Sequence, residues 1–271
     1  MYECLLLAND CYKKYNLCRL EPVGIVLHST DPTEKGELSR FIQPVGNQTG
    51  KINGVECNST DLLNALGRNH YNNHWNRTGV EKAVHIMIGK DASGSIEACQ
   101  TLPFTMPCWG CGSGSNGSYN GCYGGSAKAP LYIQIEMIED KDATRGHCVA
   151  LYNKAIEVCA WLVKQFPKIG SNIVSHREAH AKGYATDHGD PEGYWRRARI
   201  DYTMNLFRHD VVAQLQSRQY LDVPVDAWYA EAVAAVSSAG IMIGRGERTF
   251  CPKEPVTRAE LAQVIARMLA K

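Results

Sequence analysis

The fold class is decided by two short apolar segments of the sequence, Val23-Gly-Ile-Val-Leu-His-Ser29 and Leu131-Tyr-Ile-Gln-Ile-Glu-Met137. Short apolar runs of this kind are typical of buried β-strands. Residues 83–89 form a similar run, and residues 94–100 follow it as a predicted hairpin partner. Residues 172–176 predict a further short strand.

Two other segments predict helices. Apolar residues recur at helical spacing from Val149 to Phe166, which predicts an amphipathic helix of about five turns. The segment from Met204 to Leu215 predicts a closing helix. Strands mixed with covering helices indicate an α/β domain, in which helices cover a central mixed β-sheet.

The composition is that of a soluble globular protein, because 44% of the 271 residues are hydrophobic and 21% are charged. The formal net charge of +1 disfavours nucleic acid and a polybasic membrane contact. No apolar run approaches the roughly 18–20 residues that a transmembrane helix needs. Since the N-terminus lacks a basic segment, we expect no signal peptide and a cytoplasmic location.

Two changes in composition organise the chain. One near residues 217–224 predicts a large domain at residues 1–215 and a small one at residues 220–271. The other is residues 110–129, which are rich in Gly, Ser and Asn. This stretch predicts one long surface loop inside the large domain.

Three side chains form a candidate metal site. His28 and His176 each end a predicted strand, and Asp190 lies in the loop that follows the second of these strands. Ligands at strand ends and on an adjacent loop can converge on a rigid scaffold. Two imidazoles and one carboxylate leave a fourth tetrahedral position on zinc for water. Such a site can activate that water and polarise a carbonyl.

Four of the eleven cysteines are candidates for a second metal site. The odd number of cysteines and the missing export signal favour reduced thiols. Cys108 and Cys111 have CxxC spacing and, together with Cys99 and Cys122, offer four ligands for a structural zinc. Because the second half of such a motif is missing, we favour an interpretation in which these small residues pack a loop.

Seven segments resemble, in the same order, the zinc-dependent N-acetylmuramoyl-L-alanine amidases of the phage-lysozyme and peptidoglycan-recognition superfamily, especially those of clostridial phages. The segments are Gly24-Ile-Val-Leu-His28-Ser-Thr, Asn73-His-Trp-Asn76, Ala83-Val-His85-Ile-Met-Ile-Gly-Lys, Gln100-Thr-Leu-Pro, Ile133-Gln-Ile-Glu136, Ser175-His176-Arg-Glu and Lys182-Gly-Tyr-Ala-Thr-Asp-His188-Gly-Asp190-Pro. The resemblance covers residues 1 to about 215.

The resemblance implies a role for each matched residue. His28, His176 and Asp190 match the zinc ligands, and Glu136 matches the carboxylate that positions or deprotonates the zinc-bound water. His188 lies where many members carry a Lys that stabilises the oxyanion. The structural alternatives are a Glu136 paired with an Arg and a His188 that is only a solvated loop residue.

Two tryptophans are the candidate substrate-binding residues. Trp75 either has a structural role or lines a sugar-binding edge, and Trp109 lies in the expected substrate loop. Close relatives carry His after that tryptophan, whereas Gly110 follows here, which leaves the substrate preference open. His85 matches a histidine that is not a ligand, and we interpret it as a core group or as support for a ligand.

Residues 220–271 predict a hairpin of two short helices joined by a Gly-rich loop. Apolar residues recur at helical spacing in residues 228–236 and 261–269. Thr257 and Glu260 have the spacing of a capping box at the start of the second helix. A hairpin of about 50 residues is marginal as an independent domain.

The same segment resembles a single S-layer homology motif through Thr257-Arg-Ala-Glu260. The resemblance implies binding of a secondary cell-wall polymer, with Arg258 as the contact for an anionic group. The alternative is that Arg258 only pairs with a neighbouring carboxylate. Because such modules usually act in threes and this chain has one copy, the motif must pack against either the large domain or other chains, and we expect a homo-oligomer formed through residues 220–271.

These observations predict a peptidoglycan hydrolase that cleaves the amide bond between the lactyl group of N-acetylmuramic acid and L-alanine. The missing signal peptide fits a phage or prophage endolysin that acts at the bacterial cell wall after release. Two alternatives are a non-catalytic peptidoglycan-recognition protein and a wall-anchored structural protein. The intact third ligand, Asp190, argues against the first, and the single S-layer homology motif argues against the second.

Overall fold

A computed structural model describes residues 1–216, 220–224, 227–246 and 249–269 of the chain. The chain divides into two compact units, Met1–Arg208 and His209–Lys271. The predicted domain boundary includes residues 217–219, which lie outside the described residues.

The first unit is built on an eight-stranded mixed sheet with the order β4-β3-β1-β6-β5-β7-β2-β8. The strands are β1 (Tyr2–Glu3), β2 (Pro22–Ser29), β3 (Gly50–Ile52), β4 (Val55–Cys57), β5 (Ile86–Lys90), β6 (Ile96–Gln100), β7 (Leu131–Met137) and β8 (Ile173–Ser175). Strands β5, β7, β2 and β8 run parallel, and β5 pairs antiparallel with β6 as predicted.

Both units contain helices. In the described residues they are α1 (Asp10–Tyr15), α2 (Ser59–Leu66), α3 (Arg145–Gln165), α4 (His176–Ala181), α5 (Glu192–Arg197), α6 (Met204–Gln216), α7 (Ala230–Ser238) and α8 (Arg258–Leu269). The predicted α/β class is confirmed. Helix α3 covers the predicted segment, and Tyr152, Ile156, Cys159 and Leu162 of the predicted apolar stripe are buried.

The central strands owe their burial to their apolar sequence. All seven residues of β7 are buried, and Ile25, Val26 and Leu27 of β2 are fully buried beside it. Polar side chains on such strands are therefore held in one place by the surrounding core, because few rotamers are free of clashes in a close-packed interior.

The prediction of a surface loop at residues 110–129 is wrong in part, because several of these residues are buried. Cys111, Tyr119 and Cys122 within this stretch are buried. The physical reason is Asn120, whose side-chain oxygen accepts hydrogen bonds from the backbone N–H groups of Gly110 and Cys111, both at 3.1 Å. A side chain thus satisfies backbone donors that a loop normally leaves to water, and this allows the loop to be buried.

The second unit contains the two predicted helices, α7 and α8. Thr257 and Glu260 form the predicted capping box, in which the backbone N–H of Glu260 donates to the Thr257 hydroxyl at 3.2 Å. The Glu260 carboxylate accepts from the backbone N–H of Thr257 at 2.8 Å. The predicted first stripe is wrong at Trp228, which precedes α7 and is 93% exposed.

No described helix is both long and apolar enough to cross a membrane.

Candidate metal centre

The parallel strands bring the first predicted ligand to the edge of the sheet. His28 is the penultimate residue of β2 and pairs in register with Glu136 of β7. Since side chains of directly paired residues project from the same face of a sheet, both groups point to one side. His28 and Glu136 are almost completely buried, with 2% and 8% of their surfaces exposed.

His176 is aimed by the turn between a strand and a helix. It is the first residue of α4, directly after β8, rather than the last residue of that strand. Ser175 caps the helix, because its hydroxyl accepts from the backbone N–H of Glu178 at 3.1 Å. The Glu178 carboxylate accepts in return from the backbone N–H of Ser175 at 3.3 Å. This reciprocal cap fixes the direction in which His176 leaves the sheet.

Asp190 reaches the same point from the loop before α5. Its carboxylate accepts a hydrogen bond from the backbone N–H of Ser29 at 3.1 Å. Its two oxygens lie 3.5 Å from Nδ1 of His28 and 3.6 Å from Nδ1 of His176. The two Nδ1 atoms are 3.0 Å apart. The structure therefore brings together the three residues that the sequence selected, and these are the one group of this kind within its described residues.

The pKa of each of the three groups is shifted by at least one of the others. Burial and the neighbouring His28 lower the pKa of His176 to about 3. Burial lowers the pKa of His28. The Asp190 carboxylate and other acidic neighbours raise it by more than burial lowers it, so the net shift is upward. Burial raises the pKa of Asp190, but the hydrogen bond with His28, the charges of both histidines and the hydrogen bond from Ser29 together outweigh it, so the pKa is lowered. A neutral imidazole and an ionised carboxylate are the forms that bind zinc.

Glu136 is a buried carboxylate beside this group. Burial raises its pKa to about 8, His28 opposes this shift, and Asp190 and Glu139 add to it. The predicted alternative, a Glu136 paired with an Arg, is not found among the described residues, where the Arg-paired carboxylate on this side is Glu139, bonded to Arg197. A buried carboxylate with a strongly shifted pKa in a cleft is a functional-site candidate.

A cleft of about 450 Å³ opens over these side chains. Its lining includes the three candidate ligands, Glu136, His188 and Trp75. The His188 ring stacks on the His176 ring, with centroids 4.6 Å apart and planes 15° apart, while its side chain is 60% exposed. His188 is thus a cleft residue that contacts a ligand candidate, rather than only a solvated loop residue.

The two predicted substrate-binding tryptophans lie in different places. Trp75 lines the cleft and packs edge-on against Phe41, with centroids 5.3 Å apart. Trp109 is not one of the described residues that line the cleft, and its ring packs edge-on against Tyr15 with centroids 5.9 Å apart. A role in substrate binding stays a prediction for both residues.

The four cysteines of the alternative zinc site do not form a ligand cluster in the described residues. Cys99 packs in one part of the core, whereas Cys108 and Cys122 pack in another. The thiol of Cys111 donates to the Asn120 side chain at 3.2 Å, and burial raises the pKa of Cys111 to about 12. These thiols pack the loop, which is the interpretation that we favoured.

Two polar residues behind the ligands were not selected from the sequence. Oε1 of Gln134 lies 2.5 Å from Nε2 of His28, and Oγ1 of Thr186 lies 3.3 Å from Nε2 of His176. Gln134 lies two residues before Glu136 on β7, so its side chain projects from the same face of the sheet. Because alternate residues of a strand share a face, the predicted strand and Glu136 together could have identified Gln134.

Comparison with known proteins finds matches for both parts of the chain. Residues 219–262 match the S-layer homology domain, so the predicted C-terminal S-layer homology motif is confirmed. No curated protein sequence matches the chain significantly.

Among solved structures, the chain is similar to PlyL, with 15% identity, a TM-score of 0.44 and coverage of 77% of this chain and 94% of that one. It is also similar to the hydrolase AmiA of Staphylococcus aureus in complex with its ligand, with 17% identity, a TM-score of 0.40 and coverage of 72% and 75%. A mutant endolysin from Bacillus subtilis matches with 14% identity, a TM-score of 0.45 and coverage of 77% and 97%.

Proposed function

We propose that the chain is a zinc-dependent peptidoglycan amidase that cleaves the bond between the lactyl group of N-acetylmuramic acid and L-alanine. The observation that carries this proposal is the convergence of His28, His176 and Asp190 in a cleft that also contains the buried Glu136. The seven ordered sequence segments that resemble this amidase family support the choice of substrate. A phage or prophage origin, with action at the wall after release, is part of the same proposal.

The donor set fits zinc. Two imidazole nitrogens face each other across 3.0 Å and one carboxylate lies within 3.6 Å of both, while the second nitrogen of each ring already has an oxygen partner. Two histidines and a carboxylate leave one open position on a tetrahedral ion, as hydrolytic zinc sites require. When bound, zinc supplies Lewis acidity, which polarises a carbonyl and makes water a better nucleophile near neutral pH.

The chain's own residues complete the reaction. Glu136 takes a proton from the attacking water as the oxygen of that water bonds to the lactyl carbonyl carbon, and it returns the proton to the L-alanine nitrogen as the C–N bond breaks. The products are a carboxylic acid on the sugar and a free amine on the peptide. A carboxyl group with a pKa of about 8 lies close enough to neutral pH both to take up a proton and to release it.

His188 is placed to stabilise the developing negative charge. It lies at the open side of the cleft, stacked on His176 and 3.8 Å from an oxygen of Asp190. A protonated imidazole there can donate a hydrogen bond to the oxyanion. Trp75 offers an apolar face on the same cleft for the sugar or the peptide.

We propose that the C-terminal motif targets the enzyme to a secondary cell-wall polymer through Arg258. This side chain is exposed at the first turn of α8. The carboxylates of Glu254 and Glu260 are instead bonded to a different arginine, Arg245, at 2.6 Å and 2.7 Å. Arg258 is therefore accessible to an anionic polymer.

We further propose that residues 220–271 associate chains into a homo-oligomer. Helix α8 has no buried residue within its described length, although it carries an apolar stripe. Leu261, Ile265 and Met268 of that stripe are 48%, 49% and 57% exposed. Contact with the same stripe of other chains would remove this surface from water.

Elemental analysis tests the metal at the centre of this proposal. The purified full-length protein is expected to hold about one zinc ion per chain, as a site with three protein ligands would. A chelator should remove lytic activity, and added zinc should restore it. Full lytic activity in protein that contains no zinc would reject the mechanism.

A further inference from the structure

Both histidines of the candidate metal centre have an uncharged oxygen at the ring nitrogen that faces away from the site. Oε1 of Gln134 lies 2.5 Å from Nε2 of His28, and Oγ1 of Thr186 lies 3.3 Å from Nε2 of His176. We propose that Gln134 and Thr186 are positioning residues that fix the tautomer of each ring, so that Nδ1 presents its lone pair to the metal. This inference rests on the metal site proposed above.

The orientation of the Gln134 amide follows from its surroundings. Its nitrogen lies 3.3 Å from the carbonyl oxygen of Tyr119 and 3.3 Å from that of Tyr132. An amide NH₂ can donate to both, whereas the amide oxygen would face two other acceptors in that place. The Gln134 oxygen therefore faces His28 and can only accept, so Nε2 of His28 carries the hydrogen.

Water cannot replace this partner, because Gln134 is fully buried. The backbone of Gln134 is also held in place. Its N–H donates to Nδ1 of His85 at 3.0 Å, and Nε2 of His85 donates to the carbonyl oxygen of Met106 at 2.9 Å. Burial lowers the pKa of His85 to about 4, which keeps this ring neutral and able to accept. His85 thus supports Gln134, and Gln134 supports His28.

Thr186 performs the same task for His176 with one hydroxyl group. Its hydroxyl donates to the carbonyl oxygen of Cys111 at 3.3 Å. With its one hydrogen used, the oxygen accepts from Nε2 of His176. The backbone N–H of Thr186 donates to the same Cys111 oxygen at 3.0 Å, which fixes the distance between the two segments.

The Gly/Ser-rich loop is therefore part of the metal centre. Cys111, which orients Thr186, and Tyr119, which orients Gln134, both lie within residues 110–129. This assigns a role to a stretch whose composition alone indicates only a loop. Removing a residue that positions a metal ligand typically lowers the metal affinity by roughly 10–100-fold.

The test measures zinc affinity of the full-length protein by competition with a chromophoric chelator. Gln134→Met is expected to weaken zinc binding by about 10–100-fold. Gln43→Met is the matched control, because Gln43 is also buried and hydrogen-bonded to backbone groups, at 2.9 Å to the Gly67 carbonyl and 3.1 Å from the Asn69 N–H. Equal zinc affinities for the wild type and Gln134→Met would overturn the role of Gln134.

A second variant and a second measurement cover the case in which Gln134→Met does not fold. Thr186 is exposed, so Thr186→Val should fold and is expected to weaken zinc binding several-fold or more. In the wild type, ¹⁵N spectra of the histidine rings should show zinc on Nδ1 of His28 and His176, with hydrogen on Nε2. Coordination through Nε2 would overturn the inference, whereas a wild type that binds no zinc would overturn the proposed metal site itself.

Discussion

Strand β7 of the first unit and helix α8 of the second carry similar apolar residues but differ completely in burial. All seven residues of β7 are buried, whereas α8 buries none of its residues within its described length. A side chain on β7 is therefore held by packing, and Glu136 is enclosed except where it faces the cleft. The stripe on α8 leaves Leu261 and Ile265 about half exposed, so its apolar surface is available to another chain.

This difference separates two kinds of function. The chemistry that we propose needs atoms held to a fraction of an ångström, and the buried strands supply that. Wall binding and association need accessible side chains instead, and Arg258 and the α8 stripe supply those. Changes in the first unit should therefore affect turnover, and changes in the second should affect localisation and assembly.

The largest effect is expected from removing a metal ligand. His176→Ala should abolish zinc binding and lytic activity, because two remaining ligands do not hold zinc as three do. The change is measured by elemental analysis and by the clearing of a cell-wall suspension. His180→Ala is the control on the same helix, since His180 lies outside the candidate ligand set, and it should keep both properties. Wild-type turnover in zinc-free His176→Ala protein would contradict the proposed role of this metal site.

The next largest effect is expected from the buried carboxylate. Glu136→Gln should keep the zinc and the fold but lose about 10²–10⁴-fold in turnover, as expected for the loss of a general base. Glu97→Gln, on β6 of the same sheet, should have little effect because Glu97 is half-buried, paired with Lys154 and not among the described residues that line the cleft. Near-normal turnover in Glu136→Gln would move the base elsewhere, with His188 as the first candidate.

The parts of the site that the sequence could predict are those with a strong local pattern. His28, His176 and Asp190 are identified by their places at predicted strand ends and in the adjacent loop, and the family resemblance added Glu136 and His188. The roles of Gln134 and Thr186 could not be predicted, because each depends on a hydrogen bond to a residue distant in sequence.

The strands of the sheet, too, could be predicted only where the sequence has a clear local pattern. Strands β2, β5, β7 and β8 were predicted from apolar runs and β6 as a hairpin partner, whereas β1 (Tyr2–Glu3) and β3 (Gly50–Ile52) are short and contain no such run. These strands exist because neighbouring strands of the sheet pair with them.

Association of chains is expected to depend on the α8 stripe. Ile265→Asp should convert the proposed oligomer to a monomer and weaken wall binding by roughly 10²–10⁴-fold, because linked weak sites lose their avidity. Gln263→Asp adds the same charge to the same helix outside the stripe and should leave the assembly intact. Deletion of residues 220–271 should have the effect of Ile265→Asp while a soluble muropeptide is still cleaved. Light scattering that shows a monomer for the wild type would refute the association.

The smallest effect is expected at the start of α8. Thr257→Ala removes the hydroxyl that caps the helix and should destabilise the second unit by about 0.5–2 kcal/mol, whereas Thr257→Ser keeps the hydroxyl and should be close to wild type. Thermal unfolding followed by circular dichroism measures the difference. If the Ala and Ser variants unfold at the same temperature, the cap contributes nothing to stability.

We propose that the first unit hydrolyses one particular amide bond. Mass spectrometry of purified peptidoglycan after digestion by the full-length protein tests this proposal. We expect free stem peptides that begin with L-alanine and glycan chains whose N-acetylmuramic acid carries a free lactyl carboxylate, with neither product in the Glu136→Gln digest. Shortened glycan chains, peptides cut internally, or an undigested wall would contradict it.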